Sequence, residues 1–249
     1  MNILVCISRV PDTATKINIS SNGKSIDNSG VKYILNPYDE FTIEEGLRLK
    51  EKFGGTVSAL TVGGDSNVDI LRTALAMEVD SAIHVKTTRD DFDSIFVAEN
   101  IAEVAKSLNT DIIIFGRQSI DFDSNQVSSL TAEMLQLPSV SVVSKLDIIG
   151  TDVTVERDIE GGKEVVSTSL PCVISVQKGI NEPRYPKLPQ IMKAKSKPID
   201  TRNAIDNGNS IEVISMEIPS KSRIGKILGS TDEDIKEVIR LLQEEAKVI

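Results

Sequence analysis

Over its first two-thirds the chain alternates short apolar runs with segments of helical period, and this pattern constrains its fold more than any other feature. Residues 3–7, 57–62, 82–85 and 111–115 read as strands, most of them rich in Val and Ile as a parallel sheet buried on both faces requires. Residues 39–53, 67–77, 94–108 and 125–135 read as helices. In the third, Ile95, Ala98, Ile101, Ala102, Ala105 and Leu108 recur at spacings of three and four, giving one apolar stripe. Gly54 and Gly55 end the first. Short connections and a repeated strand–helix–strand order predict an α/β fold with a doubly wound, mostly parallel sheet and right-handed crossovers. Ligands of such sheets bind beyond the carboxyl ends of the strands, here the loops 8–15, 63–67 and 116–125.

After Pro138 the pattern changes. Alternation over 153–157, a turn at Gly161 and Gly162, and a returning run over 164–169 predict an added hairpin, followed by one more strand at 171–176. Residues 179–198 are basic and carry Pro183, Pro186, Pro189 and Pro198, which predicts an extended arm instead of a continuous helix or central strand. A terminal helix is expected over 232–247, with acids at its N-terminal end as the helix dipole prefers. The organisation read from this is an α/β domain with its hairpin (1–178), an extended arm (179–200), and a tail with a helix (201–249).

Composition removes several function classes. The net charge of -9 opposes general nucleic-acid binding, although 178–202 holds seven Lys and Arg against two acids and so suggests a specialised surface. No apolar run approaches a membrane span, and Met1-Asn2-Ile3-Leu4-Val5 lacks the charged start of a signal peptide, so the expected location is the cytoplasm or an organelle matrix. Cys6 and Cys172 each lie in an apolar run and read as small buried hydrophobes. His84 is the single histidine, without a Cys-x-x-Cys pair, which removes the usual parts of zinc and Ser-His-Asp chemistry and favours a packed role.

The loop Gly116-Arg117-Gln118-Ser119-Ile120-Asp121-Phe122-Asp123-Ser124-Asn125-Gln126 follows a strand and opens a helix, where backbone N–H groups and the helix dipole favour a phosphate. Ser124 is the candidate N-cap, and Asn125 and Gln126 add side-chain donors. The loop has neither a Walker lysine nor a Rossmann glycine triplet, and a polar loop with an ordinary cap explains it equally well. Asn36-Pro37-Tyr38-Asp39 opens another helix with the same two explanations, Asp39 being the candidate cap. Asp121 and Asp123 stand two apart but lack the further acids of a cation site. What remains is nucleotide binding without hydrolytic machinery and without a catalytic residue.

Four separated motifs then carry a resemblance. They are Val155-Glu156-Arg157-Asp158-Ile159-Glu160-Gly161-Gly162-Lys163-Glu164 with Leu170-Pro171-Cys172-Val173-Ile174-Ser175; Asn181-Glu182-Pro183-Arg184-Tyr185 with Leu188-Pro189-Gln190-Ile191-Met192-Lys193-Ala194-Lys195; Arg72-Thr73-Ala74-Leu75-Ala76-Met77; and the Gly116 loop. Over nearly its whole length the chain resembles the beta subunit of electron-transfer flavoproteins. The resemblance implies an adenine-nucleotide-binding type of α/β fold and an electron carrier without substrate turnover of its own. It implies a heterodimer with an alpha subunit that holds the redox-active FAD and receives the tail of this chain. It also implies a nucleotide in this chain, AMP in ordinary members and a second FAD in electron-bifurcating ones. Carried over by motif, the nucleotide contacts are Cys6, Asn36, Pro37, Tyr38, Asp39, Val62, Gly116, Arg117, Gln118, Ser119, Ile120, Asp121, Phe122, Asp123, Ser124, Asn125, Gln126 and Val127. The partner-binding residues are Arg184, Tyr185, Leu188, Pro189, Ile191, Met192, Lys193 and Lys195, docking flavin-containing dehydrogenases and a membrane quinone oxidoreductase. Asp158 resembles an acid that positions the mobile FAD domain. Val127 departs from the threonine of AMP-binding members, while Ser124-Asn125-Gln126 and the bulky Phe122 favour AMP. A bifurcating member and a stand-alone adenine-nucleotide sensor are the alternatives.

Overall fold

The Val- and Ile-rich runs form the middle of one nine-stranded sheet in a computed structural model that describes residues 1–219 and 225–248. In chain order, β1 (Asn2–Cys6) leads into four short strands, β2 (Arg9–Pro11), β3 (Asn18–Ile19), β4 (Ile26–Asp27) and β5 (Tyr33–Leu35), then α1 (Pro37–Phe53) and β6 (Thr56–Gly63). There follow α2 (Val68–Ala76), β7 (Ser81–Lys86), α3 (Ser94–Leu108), β8 (Ile112–Gly116), α4 (Val127–Leu135), β9 (Ser139–Ile149), β10 (Asp152–Ile159) and β11 (Gly162–Ser169). The last elements are β12 (Cys172–Val176), α5 (Leu188–Ser196), β13 (Asp200–Asn203) and α6 (Asp232–Arg240).

The sheet order is β11-β10-β9-β12-β8-β1-β6-β7-β13. Pairing is parallel from β9 through β13, and antiparallel only where β10 meets β9 and β11. The α/β doubly wound architecture expected from the sequence is therefore present, with the hairpin added at one edge. Successive residues of a strand face opposite sides, so Ile3, Val5, Ile112 and Ile114 join one buried cluster while Leu4, Cys6, Ile113 and Phe115 join the other. Both faces are covered, which is why the central strands carry almost no polar side chain.

Three expectations need correction. The arm is helical from Leu188 to Ser196 because Pro189 falls in the first turn, where the missing N–H has no intrahelical partner to lose. The boundary drawn after residue 200 falls inside β13, which pairs in parallel with β7 and so belongs to the sheet. The terminal helix is shorter than expected: α6 ends at Arg240 and one wider turn of π type follows over Leu241–Glu245. It is well begun, with Thr231 and Asp234 forming a capping box, yet none of its residues is buried. Ile235, Val238 and Ile239, at helical spacing, leave one apolar stripe uncovered. No helix among the described residues is long and apolar enough to cross a membrane.

Candidate functional site

The strand order reverses at β1. The chain leaves β1 for β6 on one side and later adds β8 on the other, so the carboxyl ends of β1 and β8 flank the crevice where ligands of such sheets bind. Cys6 stands opposite Phe115 at that edge, and Val62 lies near the carboxyl end of β6 on the other side of β1. Helix α1 begins at Pro37, two residues after β5, and α4 begins at Val127, after the loop that leaves β8. Neither helix has a side-chain N-cap: Asn36 and Gln126 occupy the cap positions without the capping hydrogen bond. Ser124, expected as the cap, stands two residues too early. Capping therefore does not account for these polar loops, and the first-turn N–H groups of α4 keep the character of an anion site. Asp123 and Asn125, both at positive φ, tighten the loop in a form that makes neighbouring N–H groups converge.

Asp39 does not cap either; it ties the loops together. Its carboxylate accepts from the Ser8 N–H at 2.7 Å, the Ser8 hydroxyl at 2.8 Å and the Asn36 amide at 3.0 Å. The same Asn36 amide also donates to the Gln118 carbonyl at 3.0 Å, so three segments distant in sequence share one knot. Burial pushes the Asp39 carboxyl up to about 7 while the donors pull it down. Burial, and then the Asp39 charge, hold the Cys6 thiol well above its ordinary value. Asp39 is 3% exposed with both oxygens engaged, so it braces the site from below.

Several buried polar atoms in the same loops lack a partner: the Nε of Arg117 and the Oδ1 atoms of Asn36 and Asn125. Buried polar groups are nearly always satisfied, so this set fits a polar ligand that offers both kinds of partner. A nucleoside phosphate does: its phosphate accepts from a guanidinium, and its ribose or base donates to an amide oxygen. At the margin Arg9 stacks 4.0 Å over the Tyr33 ring, within range of the Asp121 charge. The sequence placed Ser8 and Arg9 in the ligand loop 8–15 without giving either a role, and gave no signal for Tyr33. Phe122 is 74% exposed and lies on the outer side of the loop.

Other expected residues lie elsewhere. Asp158 sits on β10, three strands from β8 in the sheet order, or roughly 15 Å at ordinary strand spacing. Tyr185, Leu188 and Met192 are exposed on the arm, Leu188 at 72%. Arg184 is not free to steer a partner, because it grips Glu44 and Glu51 of α1 at 2.8 Å each. His84 is buried with Nε2 3.0 Å from the Gly63 carbonyl, and Cys172 is a free buried thiol. Among the described residues no group of three His, Cys, Asp or Glu could hold a metal ion.

A family model described as the electron transfer flavoprotein domain matches residues 24–207, from the turn between β3 and β4 to just past β13. The chain is 42% identical to an electron transfer flavoprotein subunit beta of Bacillus subtilis (strain 168), with both chains fully covered. It is 39% identical to a mitochondrial subunit beta of Arabidopsis thaliana, again over the whole of both. It is 36% identical to the subunit beta of Mus musculus, over 97% of this chain and 99% of the other. The chain belongs to the electron-transfer flavoprotein beta-subunit family. As a beta subunit of this family it is an electron-transfer protein, and the polar loops at the carboxyl ends of β1 and β8 and the exposed arm are features of its surface that need a function.

Proposed function

We propose that the chain binds AMP in the crevice formed by Cys6, residues 36–39, Val62 and residues 116–127, and that it pairs with an alpha subunit holding FAD. In this reading it docks flavin-containing dehydrogenases, and a membrane quinone oxidoreductase, through its arm. The observation that carries the nucleotide assignment is the pair of helix N-termini without side-chain caps that follow the loops at the strand-order reversal. The N–H groups at the start of α4 and the Arg117 guanidinium would hold the phosphate; the amide oxygens of Asn36 and Asn125 would accept from ribose or base. FAD, when bound by the partner, supplies the electron chemistry. This chain's own residues bind, orient and dock. The uncovered stripe of α6 and the exposed tail offer the surface on which the alpha subunit packs. The test is to purify the chain with the neighbouring alpha subunit and quantify released ligands by mass spectrometry. One AMP and one FAD per heterodimer are expected. Two FAD and no AMP would move the chain to the electron-bifurcating class.

Leu188 is the centre of the docking surface. It opens α5, is 72% exposed, and stands beside Tyr185 and Met192, with Lys193 and Lys195 near it on the same helix. An exposed leucine rimmed by charge is the form of an interface anchor. Leu188→Ala should weaken docking by about 1 to 3 kcal/mol, the scale of burying one such side chain. Stopped-flow reduction by a partner dehydrogenase should slow accordingly, with AMP content and flavin spectrum unchanged. Wild-type rates should also fall with added salt as the lysines are screened. Full electron-transfer activity in the variant would remove the docking role.

A further inference from the structure

Helix α5 is poorly placed to hold itself. It has nine residues and one buried side chain, Ala194, and helices this short are marginal in isolation. Beneath it lies a cavity of about 450 Å³, bordered by Leu47 of α1, Leu75 of α2, and Gln190 and Lys193 of α5 itself. Ala194 is the one buried residue by which α5 joins the core cluster, so apolar packing alone does not set its position. Polar contacts at both ends do. Just before the helix, Arg184 donates from Nε and Nη2 to the two carboxylate oxygens of Glu44 at 2.8 and 3.0 Å, and its backbone N–H donates to Glu44 at 3.1 Å. Glu44 is 6% exposed, so this grip is sheltered from water. At the far end Arg72 of α2 donates to the carbonyls of Ala194 and Lys197 at 2.6 and 2.5 Å. Those carbonyls belong to the unsatisfied last turn of a helix, where a cation is favourable. Lys197 adds a bond to the Val79 carbonyl at 3.0 Å.

We propose that Arg72 and Glu44 are positioning residues that fix α5 in its docking geometry, so that Leu188 is presented on an already ordered helix. The proposal rests on the docking role of the arm and gives a task to the Arg72-Thr73-Ala74-Leu75-Ala76-Met77 motif, which the nucleotide crevice does not use. An arm ordered in the free protein loses less freedom on association, so the two clamps act on partner affinity and not on electron transfer within the complex.

The test uses the full heterodimer with Glu44→Gln and Arg72→Gln, together with Arg72→Lys, which keeps the charge and part of the hydrogen bonding. Hydrogen exchange of the amides over 184–197 should accelerate at least tenfold in the Gln variants and less in the Lys variant, while the central strands keep their protection. Steady-state reduction by a dehydrogenase should show KM for the flavoprotein raised about tenfold with kcat retained. Unchanged exchange over 184–197 overturns the proposal, and so does faster exchange with unchanged KM. In the second case Leu188→Ala identifies the failure: if it also leaves the rate unchanged, the docking role of the arm has failed; if it slows the reaction, the clamps alone have been misassigned.

Discussion

Replacing Asp39 with alanine is expected to cost about 3 kcal/mol or more of stability and to release the AMP proposed to bind here. The substitution removes the acceptor shared by the Ser8 N–H, the Ser8 hydroxyl and the Asn36 amide. Each donor left unsatisfied in a buried site costs roughly 1 to 3 kcal/mol, and partial relaxation recovers some of it. The three loops joined at this knot are those that form the crevice, so stability and ligand retention fall together. Asp39→Asn separates charge from shape. Burial raises the wild-type carboxyl from 3.8 to about 7, so the folded state holds a proton that the unfolded state has released between those values. A raised folded pKa contributes stability that is fully present below the unfolded value and lost as pH rises through the folded one. The stability gap between wild type and Asp39→Asn should thus be largest at low pH and close by on the order of 1 kcal/mol per pH unit up to about pH 7. Urea titrations at pH 5, 6, 7 and 8 measure it. Parallel curves across that range would show that Asp39 does not titrate there.

Gly116→Ala should be the second severe change. Its Cβ would overlap the Asp39 carboxylate and come within 2.8 Å of the Tyr38 Cβ and 3.0 Å of the Tyr38 backbone. Gly116 does not have a positive φ, so the penalty is one of space and not of backbone conformation. Neither neighbour can give way easily, since Tyr38 is in the first turn of α1 and Asp39 is held by its donors. Overpacking of this kind costs about 1 to 3 kcal/mol, and the shift falls on the junction of the Gly116 loop with α1. A lowered melting temperature and loss of the proposed AMP are the expected results. Gly64→Ala is the matched control, because nothing lies within 4 Å of its added Cβ and its φ is -71°. If Gly116→Ala melts with wild type and keeps its ligand, the close packing of the loop on α1 is not what shapes the crevice.

Much of the architecture is legible in the amino-acid sequence. The periods of two and 3.6 residues are local properties, so the alternation of 3–7, 57–62 and 111–115 with the stripe of Ile95 to Leu108 leads directly to a parallel sheet covered on both faces. The loops of the crevice are also legible, since a polar, Gly-led segment between a strand and a helix has few other uses. The expectations that fail turn on which of two local options the chain takes. Pro189 reads as a helix breaker in a proline-rich stretch, yet one residue's shift in where the helix begins makes it a favourable first-turn residue. Ser124 reads as a cap, yet α4 begins at Val127 and leaves it behind.

By itself the sequence determined the alternating strands and helices of the first two-thirds, the added hairpin, the family, and the segments that reach the carboxyl edge, while β9, α5 and β13 came only with the fold. Only the tertiary structure decided what the polar side chains do at that edge. Asp39 finds Ser8 across 31 positions and Arg184 finds Glu44 across 140. A residue's type says how many hydrogen bonds it can make, and the fold alone brings up the partner with which it makes them. Asp39 could have capped α1 or met a ligand; the approach of β1, α1 and β8 at one edge made it the brace beneath the crevice. Arg184 could have faced a partner protein. The nearness of α1 to the arm turned it inward, and left Leu188 to face outward.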